Sequence, residues 1–327
     1  MILVIGGAGF IGSHMVKCLL QHGEKVIVLD NLEKGHRDAV IGAELIEADL
    51  RRRDQLETVF QQHDVECVMH FAAYASVGDS VQNPAKYYEN NVTGCYTLLE
   101  ALRAHKIDKM IFSSSAAVYG EPITVPIPED HPKNPTNPYG ETKWVMERML
   151  QWYGRAYGIR SISMRYFNAA GADPEGKLGE DHAPEEHLIP VAFLAALGKR
   201  DRLRIFGTDW ETPDGTCIRD FIHVNDLAEA HFLALQSLRK GNATTAYNLG
   251  NGQGFSVKQV IDTVEKVIGR EVPVEAAPRR AGDPARLIAG STRAKAELGW
   301  NPHYPELETI IQHAWAWRKV MTNGYRC

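Results

Sequence analysis

Gly6-Gly7-Ala8-Gly9-Phe10-Ile11-Gly12 follows a short apolar run and opens a segment with helical spacing. Read from Gly6 the spacing is Gly-x-x-Gly-x-x-Gly; read from Gly7 it is Gly-x-Gly-x-x-Gly. Either lets the backbone turn tightly and approach a pyrophosphate at a helix N-terminus, where free N–H groups and the helix dipole favour an anion. Three glycines can simply mark a loop, but Asp30 closes the next apolar run. A carboxylate there accepts from a ribose 2′-hydroxyl and repels a 2′-phosphate, so NAD is expected over NADP. Further along, Tyr139 and Lys143 stand four apart, which on a helix puts a phenol and an ammonium on one face. A phenol titrates near pH 10, so a base at neutral pH needs a shift of about 3 units, roughly 4 kcal/mol of preferential stabilisation of the phenolate. Lys143 and the positive nicotinamide ring are the expected sources. Ser115, last of Ser113-Ser114-Ser115, can bridge a substrate hydroxyl and the phenolate.

Elements must bring these groups together. Candidate strands are Ile2–Ile5, Val26–Leu29, Glu44–Ala48, Cys67–Phe71, Met110–Ser113 and Ser161–Arg165, and the helical segments include Gly12–His22, Asp54–Gln62, Pro84–His105 and Pro138–Tyr157. Strands alternating with helices imply right-handed crossovers and a doubly wound parallel α/β (Rossmann) sheet. Ligands of such sheets lie beyond the carboxyl ends of the strands. Asp49-Leu50 is then placed for an adenine ring, and Phe71-Ala72-Ala73 offers small residues where a cofactor lies close. Pro122 to Pro138 holds six of the 16 prolines and reads as a long fixed loop. After Asn168 the pattern turns mixed. The expected division is 1–167 for the dinucleotide, with 222–250 returning to it through a helix at Asp226–Leu238 and a strand at Ala246–Leu249. Residues 168–327 then form mainly a smaller mixed α/β substrate domain.

Composition narrows the class. The 327 residues carry 36 Lys+Arg against 41 Asp+Glu, a net charge of −5, so no basic face displaces counterions from nucleic acid. Arg51-Arg52-Arg53 is a lone basic run and reads as a solvated helix entry. The five cysteines form no Cys-x-x-Cys, and neither a zinc cluster nor a disulfide framework is expected. No apolar stretch reaches membrane-spanning length, and the N-terminus lacks the basic region of a signal peptide. A cytoplasmic protein without membrane or metal is expected. His182 and His187 sit in an acidic, Pro-containing loop without helical ligand spacing, which reads as solvated.

The combined motifs resemble the extended short-chain dehydrogenase/reductases over nearly the whole chain, and within them the UDP-galactose 4-epimerases. The matching stretches are GGAGFIGSH from Gly6, LDNL from Leu29, NNVTG from Asn90, SSSAAVYG from Ser113 and PYGETK from Pro138. RYFNAAGA from Arg165, GTCIRDFIHVNDLA from Gly215, YNLGNG from Tyr247 and RRAGDPA from Arg279 continue them. The resemblance implies that Tyr139 is the base, that Lys143 positions it and the nicotinamide ribose, and that Ser115 meets the sugar 4-hydroxyl. It adds Phe10, Ile11, Asn31, Asn90, Ser113 and Tyr166 to the cofactor contacts. Asn168, His187, Leu188, Arg204, Phe206, Arg219, Arg280 and Asp283 are implied to hold the UDP-sugar, the arginines as planar forks for a diphosphate. The implied reaction is a reversible oxidation at C4 without net redox change. The keto sugar rotates while the nucleotide stays clamped, and the hydride returns to its other face.

The sequence departs from that family pattern at Ile5, Ala75, Ala117, His187 and Phe221, and Leu287 stands at the variable pocket gate. UDP-N-acetylhexosamines and UDP-pentoses (xylose and arabinose forms) therefore remain alternative substrates to UDP-hexoses. A nucleotide-sugar dehydratase needs an acid/base pair where this chain has Ala116-Ala117. A non-catalytic NAD-binding regulator would have no reason to keep Ser115, Tyr139 and Lys143 together. Apolar faces around Tyr88–Leu102 and Trp144–Tyr153 lead to the expectation of a homodimer.

Overall fold

Runs such as Ile2-Leu3-Val4-Ile5 carry no polar alternation, so both faces of the strand must be covered. In the computed structural model, which describes residues 1–280 and 282–325, they are. The first half runs β1 (Ile2–Ile5), α1 (Phe10–Gln21), β2 (Val26–Asp30), β3 (Glu44–Glu47), α2 (Arg53–Gln62) and β4 (Cys67–His70). It continues through α3 (Val77–Gln82), α4 (Pro84–Tyr87), α5 (Gly94–Ala104), β5 (Lys109–Ser115), α6 (Pro138–Tyr157) and β6 (Arg160–Tyr166). Then come β7 (Asn168–Ala170), α7 (Leu188–Ala196), β8 (Leu203–Phe206), β9 (Ile218–Arg219), β10 (Phe221–His223), α8 (Val224–Arg239) and β11 (Thr245–Leu249). The chain closes with β12 (Phe255–Ser256), α9 (Val257–Ile268), β13 (Val274–Ala277), β14 (Arg286–Leu287), α10 (Thr292–Leu298) and α11 (Leu307–Val320).

Seven strands form one parallel sheet in the order β3-β2-β1-β4-β5-β6-β11. The strand order reverses between β1 and β4, which opens a crevice at their carboxyl ends. Met15 and Leu19 of α1 and Leu227 and Leu235 of α8 cover one face, over Val4, Ile111 and Met164. Leu56, Leu98, Met146 and Leu150, from α2, α5 and α6, cover the other, over Leu3, Val68 and Phe112. A separate core joins α7, α9 and α11 through Phe193, Val260, Val264 and Ile310. Beside it lie three small sheets: β7 with β10, β8 with β13, and β9 between β12 and β14. No helix among the described residues is long and apolar enough to cross a membrane.

Two local differences from the sequence reading have physical causes. The segment predicted as one helix over Pro84–His105 is α4, a π-helical turn at Tyr88–Thr93, and α5. The wider turn aims the Asn91 amide back at Tyr74. Its oxygen accepts from Tyr74 N at 3.0 Å, and its nitrogen donates to Tyr74 O and Thr142 Oγ1, both at 3.1 Å. Such π turns recur beside functional sites. The strand predicted to end at Ser113 continues to Ser115, because β6 extends alongside and pairs Ser115 with Tyr166.

Candidate active site

The glycine turn carries β1 into α1, with Gly9 as N-cap, no side-chain cap and no acidic residue in the first turn. The amides there thus face the crevice without side-chain competition. A Cβ on Gly12 would lie 2.1 Å from the Gly6 carbonyl oxygen, so only glycine lets the helix cross the turn so closely. Asp30, at the end of β2, accepts from Ala8 N at 3.0 Å and Leu32 N at 2.9 Å. Burial raises its carboxyl above the usual range, and those two amides oppose the rise. Each oxygen keeps a lone pair for a ribose hydroxyl. Asn31 donates to Asp49 at 3.4 Å, Arg51 holds Asp49 ionised below the usual range, and Leu50 is buried. Phe71 N bonds Ile5 O at 2.8 Å, which keeps Phe71, Ala72 and Ala73 alongside the glycine turn. Asn90, buried in the π turn, donates to Asn91 at 3.0 Å. This cradle and its acidic end fit a dinucleotide.

α6 starts on Asn137, whose side chain accepts from Gly140 N at 2.9 Å, with Pro138 in the first helical position. That cap fixes Tyr139 in the first turn. A Cβ on Gly140 would lie 2.4 Å from Ala117 O, so glycine permits the approach of α6 to the end of β5. Lys143 is buried and donates to Ser113 O at 2.6 Å. Its nitrogen lies 4.9 Å from the Phe112 ring centroid and 5.9 Å from that of Tyr139. Burial brings Lys143 down to about 7, opposed by Cys95 and Glu147. Tyr139 is partly accessible. Burial raises its phenol above the ordinary value, and the Ser115 hydroxyl opposes that rise. The Lys143 amine, hydrogen-bonded to Ser113 O, is not among the groups that move the phenol in the protein alone, where desolvation dominates. Ser113 Oγ is also hydrogen-bonded to the Tyr166 hydroxyl.

Across the crevice, Phe206, Arg219, Arg280 and Asp283 are brought together. The Arg280 guanidinium lies 5.1 Å from the Phe206 ring centroid and 3.0 Å from Asp283. Arg219 lies 3.8 Å from Asp283 and donates to Ile218 O and Pro284 O, both at 2.9 Å. Arg204 is engaged elsewhere, with Glu275 at 2.5 Å. Asn168 opens β7, and Leu188 is the first residue of α7, directly after His187. His187 points Nδ1 at Glu180, 2.7 Å away. The loop before it is solvated in part, with Ala183, Pro184, Glu186 and His187 exposed, but the Glu180 and Glu185 side chains are only 7 % and 8 % exposed. They turn inward toward His182 and His187.

Sequence reasoning missed the support behind the serines. Glu147 binds Arg165 through two hydrogen bonds, at 2.8 and 2.6 Å, and accepts from Ser114 at 2.5 Å. Arg165 also donates to Tyr119 at 2.9 Å and Glu129 O at 3.0 Å, and Tyr119 donates to Asn248 at 2.6 Å. Glu147 follows Lys143 by four residues, so the spacing that paired Tyr139 with Lys143 also pointed to it. His70, at the end of β4, was missed as well. Its ring nitrogens have no hydrogen-bond partner among the described residues, and burial with the nearby Lys143 brings it to about 3.

Similarity to known proteins runs along the whole chain. It is 55 % identical over 324 residues to a UDP-glucose 4-epimerase of Halalkalibacterium halodurans, covering 99 % of this chain and 97 % of that one. A crystal structure of UDP-glucose 4-epimerase from Brucella ovis in complex with NAD is 48 % identical, with a TM-score of 0.94 and coverage of 97 % and 98 %. One from Bifidobacterium longum in complex with NAD+ and UDP is 36 % identical, again with a TM-score of 0.94, and covers 99 % of each chain. Residues 2–250 match the model of one family, from the first strand of the sheet through its last, and span the glycine turn, Ser115, Tyr139 and Lys143. On that match the chain belongs to the NAD dependent epimerase/dehydratase family.

Proposed function

We propose that this chain is an NAD-dependent UDP-glucose 4-epimerase, interconverting UDP-galactose and UDP-glucose. The observation that carries the reading is the convergence of Ser115, Tyr139 and Lys143 at the carboxyl end of β5, in the sheet that holds the glycine turn. Full-length similarity to proteins named UDP-glucose 4-epimerase supports it. NAD+, when bound, supplies the acceptor for the C4 hydride. Tyr139 takes the proton of the C4 hydroxyl, with Ser115 bridging the two oxygens. A positive ring beside Tyr139 would offset the desolvation that raises its phenol. Lys143, held by Ser113 O, is positioned to meet the nicotinamide ribose. Arg219 and Arg280 grip the diphosphate while the oxidised sugar turns, which is why the grip must outlast the intermediate. Ala116 and Ala117 leave the strand end without an acid/base pair for dehydration.

In this reading residues 1–167 with 222–250 hold the cofactor, and 168–327 mainly hold the nucleotide sugar. The enzyme acts in the cytoplasm as a homodimer. Four free buried cysteines among the described residues suit a reducing compartment, and exposed Tyr88, Tyr96, Trp152 and Tyr157 offer an apolar surface for a second copy. Light scattering at the mass of one chain would refute the dimer. Purified protein given UDP-galactose, UDP-N-acetylgalactosamine or UDP-arabinose is expected to epimerise UDP-galactose fastest. Failure with all three sinks the assignment. Tyr139→Phe is expected to lose about 10²- to 10⁴-fold in kcat while still binding UDP. Full activity in that variant would remove Tyr139 as the base.

A further inference from the structure

The loop between β7 and α7, residues 171–187, has no regular structure, yet four of its side chains converge on one point. Glu180, His182, Glu185 and His187 each bring one ligand-type atom within 4.8 Å of all the others. His187 Nδ1 lies 2.7 Å from Glu180 Oε1 and 3.4 Å from Glu185 Oε1. His182 Nδ1 lies 3.5 Å from Glu180 Oε1 and 3.5 Å from Glu185 Oε2. An ion bound tetrahedrally at about 2.1 Å sets its ligand atoms about 3.4 Å apart. The His182–Glu180 separation matches that edge, as do those from Glu185, which offers a different oxygen to each histidine; the 2.7 Å His187–Glu180 contact must open on binding.

Burial supplies a second, independent argument. Glu180 is only 8 % exposed, and its Oε1 is buried without a hydrogen-bond partner among the described residues, as is His182 Nδ1. Two neighbouring carboxylates withdrawn from water require compensating positive charge, and an unbonded buried acceptor is costly. The 2.7 Å contact of His187 Nδ1 with Glu180 Oε1 is not aligned as a hydrogen bond, and all four ligand-type atoms lie within 4.8 Å of one another. Glu185 is pre-set for this role, because its Oε1 accepts from the amides of Glu186 at 2.9 Å and His187 at 3.0 Å.

We propose that Glu180, His182, Glu185 and His187 bind one divalent transition-metal ion, with zinc the best fit. Two carboxylates and two neutral imidazoles bring a dication to zero net charge. The mixed nitrogen and oxygen set suits zinc better than calcium or magnesium, which take six or more oxygens. Four protein ligands fill a tetrahedral shell, so the ion is structural and activates no water. It would clamp the eight residues that lead into α7. That loop is already strapped to the segment after β2, where Lys34 donates to Ala183 O at 2.9 Å and His36 lies 3.0 Å from Asp181 O. Arg200, just beyond α7, donates to Glu185 O at 3.2 Å. The metal would thus stiffen the loop that Lys34 and His36 strap to the segment after β2.

The test is metal content and stability of the full chain. Protein purified without chelator is expected to hold about one zinc per chain by elemental analysis. Chelation should lower Tm, and added zinc should restore it. Cobalt loaded in place of zinc should give the intense visible bands of a four-coordinate site. His182→Gln and Glu180→Gln, checked for native far-UV circular dichroism, should each weaken zinc binding at least about tenfold. Wild-type protein that takes up neither metal stoichiometrically overturns the proposal, as does a weak, six-coordinate cobalt spectrum. Variants that bind zinc as tightly as wild type do the same. Should either variant fail to fold, the wild-type cobalt spectrum decides alone.

Discussion

Lys143 is the residue on which burial acts most visibly. Its amine sits among Phe112, Cys95 and the Ser113 carbonyl, where desolvation favours the neutral form and brings it to about 7 from an ordinary 10.5. Below pH 7 the native state carries the full cost of a buried ammonium. Between pH 7 and 10.5 the unfolded chain binds more protons than the folded one, so stability rises with pH across that window. Other groups titrate there too, so the measurable quantity is a difference. In protein freed of dinucleotide, wild type is expected to gain stability over Lys143→Met from pH 7 to 10.5, and denaturant titration at several pH values reads it. A pH-independent difference would mean that the native lysine does not titrate near 7. The same residue shows where spacing stops being informative. Positions 139 and 143 placed both groups on one helix face, but the partner of the lysine is a backbone carbonyl on β5. Partners of that kind leave no mark in the order of side chains.

Elements position the serines and the phenol through one buried network. Glu147 on α6, Arg165 on β6, Ser114 on β5, Asn248 on β11 and Tyr119 in the loop are joined by hydrogen bonds, with Arg165 and Glu147 nearly inaccessible. Removing one partner of such a pair strands the other charge in the interior. Glu147→Gln is therefore expected to cost about 3 kcal/mol in urea unfolding. The double variant Glu147→Gln with Arg165→Met should recover part of that loss, because no charge is then left unpaired. The parallel strands themselves were legible, since two covered faces demand unbroken apolar runs. So were the glycine turn, Asp30 and the Tyr139–Lys143 pair, whose short spacings carry their own geometry. Glu147 with Arg165, eighteen residues apart, and the Glu180–His187 cluster were not. Their meaning lies in convergence across elements, or in a loop whose ligand spacing follows no regular period.

At the scale of the molecule, the proposed function puts the cofactor on the main sheet and the nucleotide sugar on the smaller sheets. Arg219, Arg280, Asp283 and Phe206 all belong to the second side. UDP at a hundred times its Kd is expected to add about 2.7 kcal/mol to stability, seen as a rise in Tm, and Arg280→Ala should lose most of that rise. An unchanged rise would place the diphosphate elsewhere. Asp220 ties the two sides together, accepting from the amides of Asn251 at 2.8 Å and of Gly252 and Ala289, both at 3.0 Å. The last strand of the main sheet has a consequence in time as well as in space. Because β11 follows the whole of residues 167–244, a ribosome releases β6 long before the strand that covers it. In that interval the nascent chain exposes a bare sheet edge, ready to pair with other chains. The main sheet is thus completed only after much of the second half has been synthesised. A fragment ending at residue 167 is expected to aggregate on expression, and a soluble monomeric fragment would show that the edge protects itself. Until residue 249 emerges, that edge has no strand of its own chain to pair with.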